Sequence, residues 1–517
     1  MQKFFKNKMK SSQSAYKVGA VLSYITLGVN CLVSIFFTPY MIRHLGESEY
    51  GLYQLIGAFA GYLSILDMGM SSAVTKYVSK YYRQNNIVRQ ENFLSIMLGY
   101  YSFISIIVLI AGGVMYGQIG ALFAATLSAS ELIKAKEMFV LLIGNLIFTL
   151  FGGIFRGVMN AYECFLQTKG AELARVIMRI LMIYGILSAG SDSVGIVVVD
   201  TLVNIIFFLY RLSYCFRNLH IHFRFHGIDV KELKEVVFFS FFVFLNLIFD
   251  QINWKIDHTI LGMKLSTVAV TVYSIGMNFS NYFMNFSVAV KSLFLPKVMN
   301  MEVSGASEKD FTDFMIKIGR LQGYLLFYLY FAFLFLGRQF IQLIMGKDYF
   351  EAWFSAALVM TGLIVPLLQN AGHPILQAKN KHHVYVIVCL CISVVNAIST
   401  WFIVDDYGIT GAAFMTMLSF IGGQAIFLTW YYAKKIKINM KLFYYEIWTG
   451  NFRPILLIIV VEIIICNYLS VVSWVSFLIQ AVVYTILYFF SIYFWGMKDE
   501  EKSMLLGKRK KGKKNEA

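Results

Sequence analysis

Charge is scarce in this sequence: Asp, Glu, Lys and Arg make up only 14% of its 517 residues, whereas 58% are hydrophobic. Soluble globular domains are about a quarter charged, so this composition excludes a chain whose surface is mostly in water. The mean hydropathy of +0.65 points the same way. Long polar connections are also lacking. The longest one expected on the outer side, residues 117–137, is too short for a catalytic domain. No Gly-x-x-x-x-Gly-Lys-Ser/Thr phosphate loop and no His-Glu-x-x-His zinc helix occurs, which argues against ATP-driven export by this chain alone and against zinc hydrolase chemistry. The six cysteines, Cys31, Cys164, Cys215, Cys389, Cys391 and Cys466, never fall at Cys-x-x-Cys spacing and read as small apolar residues.

What the chain does have is apolar runs from end to end. A helix needs about 20 residues to cross a hydrocarbon core of roughly 30 Å. Runs of that order cover residues 18–42, 51–74, 93–116, 138–160, 171–190, 193–213, 236–263, 267–295, 319–345, 353–376, 384–403, 408–431, 454–472 and 475–495, so an all-α polytopic membrane protein with about 14 transmembrane helices is expected. The first run follows a basic start (Lys3, Lys6, Lys8, Lys10, Lys17). It is too long for a signal-peptide core and lacks a small-residue cleavage site, which makes it an uncleaved span.

An even number of spans places both termini on one side. Of the 45 Lys and Arg, the loops of one set hold only Arg43, Lys134, Lys136, Lys264, Arg338 and Lys347, and Arg156, Arg179, Lys255 and Lys291 fall inside spans. The rest border the other set of loops and the termini, which are therefore expected to be cytoplasmic. The net charge of +16 is thus an orientation signal rather than a nucleic-acid footprint. His220–His226 (HIHFRFH) reads as an interfacial basic stretch rather than a metal site. The segment Lys508–Lys514 either lies against the anionic inner leaflet or stays solvated.

Shifting the chain by 216 residues superposes Asn30 on Asn246, Leu45-Gly46 on Leu261-Gly262, and Gly195 on Gly411. This faint duplication pairs spans one to six with seven to twelve, giving two pseudo-symmetric six-helix lobes plus two C-terminal helices. The expected organisation is a basic N-terminus (1–17), a first lobe (18–213), a linker (214–235), a second lobe (236–431), the last two spans with their preceding loop (432–495) and a basic tail (496–517).

Polar groups inside spans are costly unless they face protein or water. In the seventh span Asn246, Asp250, Asn253 and Asp257 recur at helical spacing, with Gln251, Lys255 and His258 on an adjoining stripe. The eighth span carries Ser274, Asn278, Asn281, Asn285 and Ser292, and the first Ser23, Asn30 and Ser34. Together they either line a wet path or form a buried network that fixes helix packing. Arg156, Arg175, Arg179 and Lys291 lie nearer the cytoplasmic helix ends, where long basic side chains either snorkel to the interface or present a cationic surface to phosphate. Asp67, Asp200 and Glu462 are candidates to carry a coupling proton or sodium ion, or else pair with neighbouring helices.

The stretch Pro39–Tyr82 (PYMIRHLGESEYGLYQLIGAFAGYLSILDMGMSSAVTKYVSKYY) resembles the amino-terminal signature of Wzx-type polysaccharide flippases of the multidrug/oligosaccharidyl-lipid/polysaccharide exporter superfamily. Phe249–Gly262 (FDQINWKIDHTILG) is similar to that family's seventh helix. The resemblance implies a two-lobed bundle working by alternating access on an undecaprenyl-diphosphate-linked oligosaccharide. It makes Arg156, Arg179, Lys255 and Lys291 candidates for the diphosphate and the polar stripes candidates for sugar. It implies no cofactor, coupling to H+, Na+ or the membrane potential, and as partners membrane lipids and the polymerase and glycosyltransferases of the same pathway. A sugar hydroxyl taken unpaired into an apolar phase costs about 1–3 kcal/mol, so such a head group needs a polar path. A cation-coupled drug exporter and a peptidoglycan-precursor flippase are alternatives on the same fold. A membrane glycosyltransferase or polymerase is disfavoured by the short loops.

Overall fold

The structure, a computed structural model, describes residues 22, 25–26, 28–30, 32–227, 230–291, 295–379, 381–468 and 473–505. Of the sequence candidates, the N-terminus, Ser23, Cys31, Ser292, the Lys508–Lys514 run and the side chains of Ser34, Asn246, Asp250 and Lys291 lie outside what is described.

The described residues are overwhelmingly helical and contain no strand. After a short helix Thr38–Leu45 come α1 (Glu47–Ser64), α2 (Met70–Arg83), α3 (Ile87–Phe123), α4 (Ala129–Ala161), α5 (Phe165–Ser188), α6 (Ser193–Arg217), α7 (Val230–Lys264) and α8 (Thr267–Lys291). Then follow α9 (Glu308–Met345), α10 (Phe350–Leu368), α11 (His382–Ser419), α12 (Met440–Tyr468), α13 (Trp474–Ser491) and α14 (Asp499–Leu505). Turn chemistry starts several of them. Ser128 and Ser307 close reciprocal caps with Glu131 and Asp310, Asn86 accepts from the Arg89 N–H at 3.0 Å, and Asp192 accepts from the Gly195 N–H at 3.4 Å.

By length and composition, 10 helices among the described residues are apolar enough to cross a membrane. One of them, Val384–Ile436, is two helices joined by a kink at the non-helical Gly408 (φ 56°, ψ −141°) and so holds both the eleventh and twelfth expected spans. The expected fifth and eighth spans are present as α5 and α8, whose polar faces keep them out of that set. The expected first span falls largely outside the described residues.

One span departs from its expected form. Residues 51–74 read as continuous, but α1 ends at Ser64, Ile65–Asp67 form a tight turn, and Met68 (φ 48°) and Gly69 (φ 71°) are left-handed before α2 begins. The glycine relieves one of the two positive φ angles, and Met68 takes the other against its side chain.

The chain packs as two compact units, residues 1–274 with 397–409, and residues 275–396 with 410–517. This partition by packing differs from the six-plus-six partition by sequence repeat, because α7 packs on α1 and α2. In the first unit α4 is central, touching α1, α2, α3 and α6. In the second, α9 packs on α10, α12 and α13 around Tyr324, Leu336, Ile458, Tyr484, Tyr488 and Ile492.

Candidate polar path and its cations

The sequence stripes of α7 separate by environment. Asn253, Asp257 and His258 are buried, and Asp257 accepts from the Tyr273 phenol of α8 at 2.5 Å; His258, expected on the stripe of Gln251 and Lys255, lies instead edge-on to the same ring at 5.3 Å, because α8 packs against this side of α7. Thr259 bonds to Tyr62 of α1 at 2.8 Å. This face is a packing seam. One turn away, Gln251 and Lys255 lie over α1 at Gly61, where a Cβ would come within 2.6 Å of Gln251 Oε1 and 3.8 Å of Lys255 Cγ. Gly61 therefore makes the room that the two long polar side chains occupy. Lys255 has no ion pair among the described residues, and Gln251 Oε1 is buried without a hydrogen-bond partner among them.

Arg179 and Asp200 were separate candidates, and the structure brings them together. The guanidinium of α5 donates to both carboxylate oxygens of α6, and Tyr53 of α1 donates to Asp200 Oδ2 at 3.0 Å while accepting from Arg179 Nη2 at 3.0 Å. Asp67, at the break between α1 and α2, accepts from Tyr101 at 2.8 Å and Ser71 at 3.2 Å. Glu462 of α12 is fully buried, and neither carboxyl oxygen has a hydrogen-bond partner among the described residues. Arg156 is exposed, as is Asn30. Asn278, Asn281 and Asn285 are half-buried in the second unit, where Asn281 donates to its own helix at Met277 O, 3.0 Å away.

A polar knot ties one end of the first unit. Glu49 of α1 accepts from Lys134 of α4 and from the N–H of Ser193 at the start of α6, the latter at 3.2 Å. Lys134 also pairs with Asp192 at 3.0 Å. Partial burial opposes the charge of Asp192, but the Lys134 ammonium and the Gly195 N–H outweigh it and hold this carboxyl below its ordinary value. Glu131 and Thr267 join the same knot through Ser48.

Sequence reasoning singled out neither Arg211 nor the phenols Tyr53 and Tyr101. Arg211 was hidden by its nearness to a helix end, where a basic residue is ordinary. A phenol in an apolar run carries no periodic signal.

Residues 17–294 match the family model described as polysaccharide biosynthesis protein, more than half of the chain. The chain belongs to that family. The two stretches that resemble Wzx-type flippases both fall inside the matched residues. No curated protein matches. Among solved structures, the chain is similar to the lipid II flippase MurJ in an inward closed conformation, with a TM-score of 0.69 at 18% identity, covering 93% of this chain and 98% of that one. It is also similar to a variant of the Vibrio cholerae MATE transporter VcmN, at a TM-score of 0.56 and 12% identity over 84% of this chain and 100% of that one. A MOP-superfamily transporter from Pyrococcus furiosus gives 0.52 at 15% identity, over 80% and 94%. At such identities the likeness shows the fold alone. The chain is a multi-pass membrane protein of the polysaccharide biosynthesis family.

Proposed function

We propose that this polysaccharide biosynthesis family member carries an undecaprenyl-diphosphate-linked oligosaccharide from the inner to the outer leaflet of a bacterial cytoplasmic membrane. The observation that carries the reading is Lys255, a cation inside a span, beside Gln251 with its buried, unpartnered Oε1, and itself without an ion pair among the described residues. A charge placed there is expensive unless it meets a partner, and an anionic head group is such a partner where a cationic drug is not. Lys255 meets the diphosphate and Gln251 a sugar or phosphate oxygen, while the polyprenyl tail stays in lipid. The termini face the cytoplasm. Export of a net negative head is driven in part by the membrane potential, at about 2.3 kcal/mol per charge per 100 mV. Asp67 is the acid to test for proton or sodium coupling, since Asp200 is held by Arg179. The pathway's polymerase and glycosyltransferases are the expected partners.

A second reading, transport of the peptidoglycan precursor, is favoured by the similarity to the lipid II flippase, because that cargo shares the polyprenyl diphosphate. Proteoliposomes decide between them. Wild type is expected to flip a fluorescent undecaprenyl-diphosphate oligosaccharide faster than lipid II, and Lys255→Ala to abolish flipping at equal incorporation. Faster flipping of lipid II would favour the second reading, and undiminished flipping by K255A would remove Lys255 from the path.

A further inference from the structure

Arg156, Arg175 and Arg211 sit on α4, α5 and α6, three helices of the first unit that pack on one another. Arg211 feels the charges of both Arg156 and Arg175, and Arg175 feels Arg156 and Arg179. Like charges do not gather in a low-dielectric setting without something to offset them. The acids nearby are already engaged: Glu172 holds Lys169 at 2.8 Å, Asp200 holds Arg179, and Asp67 accepts from Tyr101 and Ser71. None of the three arginines has an ion pair or hydrogen bond to a described residue.

Arg156 and Arg175 are exposed, and Arg156, five residues from the end of α4, is explained by snorkelling. Arg211 is not. Its side chain belongs to a residue only 6% exposed, its Nε is buried without a partner, and Nη1 lies 4.0 Å from where a Cβ on Gly152 of α4 would sit. It stands about 9 Å from the end of α6 at 1.5 Å per residue, and it is tucked against a neighbouring helix instead of reaching outward. A buried guanidinium with unspent donors, flanked by two more, is suited to a tetrahedral oxyanion, which accepts paired N–H bonds from an arginine fork.

We propose that Arg156, Arg175 and Arg211 form a phosphate-binding site within the first unit, occupied by the phosphate of an anionic membrane lipid or by free phosphate. The site takes over Arg156 from the candidates for the cargo's diphosphate, but it uses neither Lys255 nor Gln251, on which the proposed transport rests.

The test is binding by the full-length, delipidated protein in detergent. Native mass spectrometry would follow retention of phosphatidylglycerol against diacylglycerol, and thermal melting would follow inorganic phosphate against chloride at equal ionic strength. Saturable retention of phosphatidylglycerol that inorganic phosphate does not displace assigns the site to lipid. A saturable rise in Tm with inorganic phosphate assigns it to the free ion. In either case Arg211→Gln and the double variant R156Q/R175Q should each weaken binding by about tenfold or more, as expected for lost hydrogen bonds to a charged group. Absence of saturable binding of either compound by wild type, or unchanged binding by the double variant, would overturn the proposal. If R211Q does not elute as a folded species, the double variant at the two exposed positions decides alone. Flipping assays report separately on cargo, so a failure of the glycan reading leaves this result standing.

Discussion

Arg179 and Asp200 face each other across α5 and α6 as a forked pair, with Arg179 Nη2 donating to Asp200 Oδ2 at 3.2 Å and Tyr53 bridging the two from α1. Both side chains are mostly withdrawn from solvent. Replacing Asp200 by Asn removes the counter-charge and leaves the guanidinium half-buried. We expect Asp200→Asn to lower stability by about 1–3 kcal/mol, and the double variant R179A/D200A to cost less than the sum of its single changes. Thermal melting in detergent across the four-member cycle checks this. Strict additivity would mean that the pair is not coupled.

A second buried pair predicts a pH dependence. Arg320 of α9 donates to Glu501 of α14 at 2.8 Å and 3.1 Å, and the same carboxylate accepts from Tyr324 at 2.9 Å and the Lys498 N–H at 2.8 Å. Burial pushes the Glu501 carboxyl up, but these hydrogen bonds and the Arg320 charge prevail and hold it below its ordinary value of 4.5. The stabilisation is therefore complete above that value and is lost as pH falls through the lower native one. Glu501→Gln should cost about 3–5 kcal/mol at pH 7, with its Tm converging on wild type only below about pH 4.5. A gap that stays constant with pH would show that the charge plays no part.

Gly51 tests the packing of α1 on the start of α8. A Cβ there would lie 1.8 Å from the carbonyl oxygen of Thr267 and 2.7 Å from Thr271 Oγ1, so the helices cannot keep their approach. Gly51→Ala is expected to destabilise by at least about 3 kcal/mol or prevent folding. Gly57→Ala, on the same helix with nothing within 4 Å, should gain about 0.5–1 kcal/mol from helix propensity. Comparing folded yield and Tm of the two variants is sufficient.

Glu462 offers the opposite sign. With both oxygens buried and unbonded among the described residues, it contributes no hydrogen bond that its removal would break. Glu462→Leu should raise stability by about 1–3 kcal/mol. If transport falls in that stabilised variant, the acid serves the transport cycle; a drop in Tm would instead reveal a structural role.

The helical membrane fold was legible because its signal is repeated: apolar runs of spanning length recur, and Lys and Arg concentrate on alternate loops. The break after Ser64 was not, since Ile65, Leu66 and Met68 are as apolar as a continuous helix requires and only Asp67 and Gly69 interrupt them. Helical spacing grouped Asn253 with Asp257 and Gln251 with Lys255, but it also grouped His258 with Lys255, and His258 instead shares the Tyr273 ring with Asp257; period alone does not say which side chain meets a neighbouring helix. That depended on Tyr273 and Gly61, which sit on other helices and have no sequence relation to α7. In the same way, no local pattern marks Arg179 and Asp200 as partners across 21 positions.

At the knot, the Glu49 carboxylate holds Lys134 and the first residue of α6 simultaneously, and Lys134 in turn holds Asp192. Three helices thus share one rivet. Sliding any one of them along its axis would strip several bonds together, so this end of the first unit resists shear and moves as a block. Spin labels placed at the neighbouring ends of α1, α4 and α6 should keep one set of mutual distances throughout a transport cycle, making this end a fixed frame against which any moving segment can be measured.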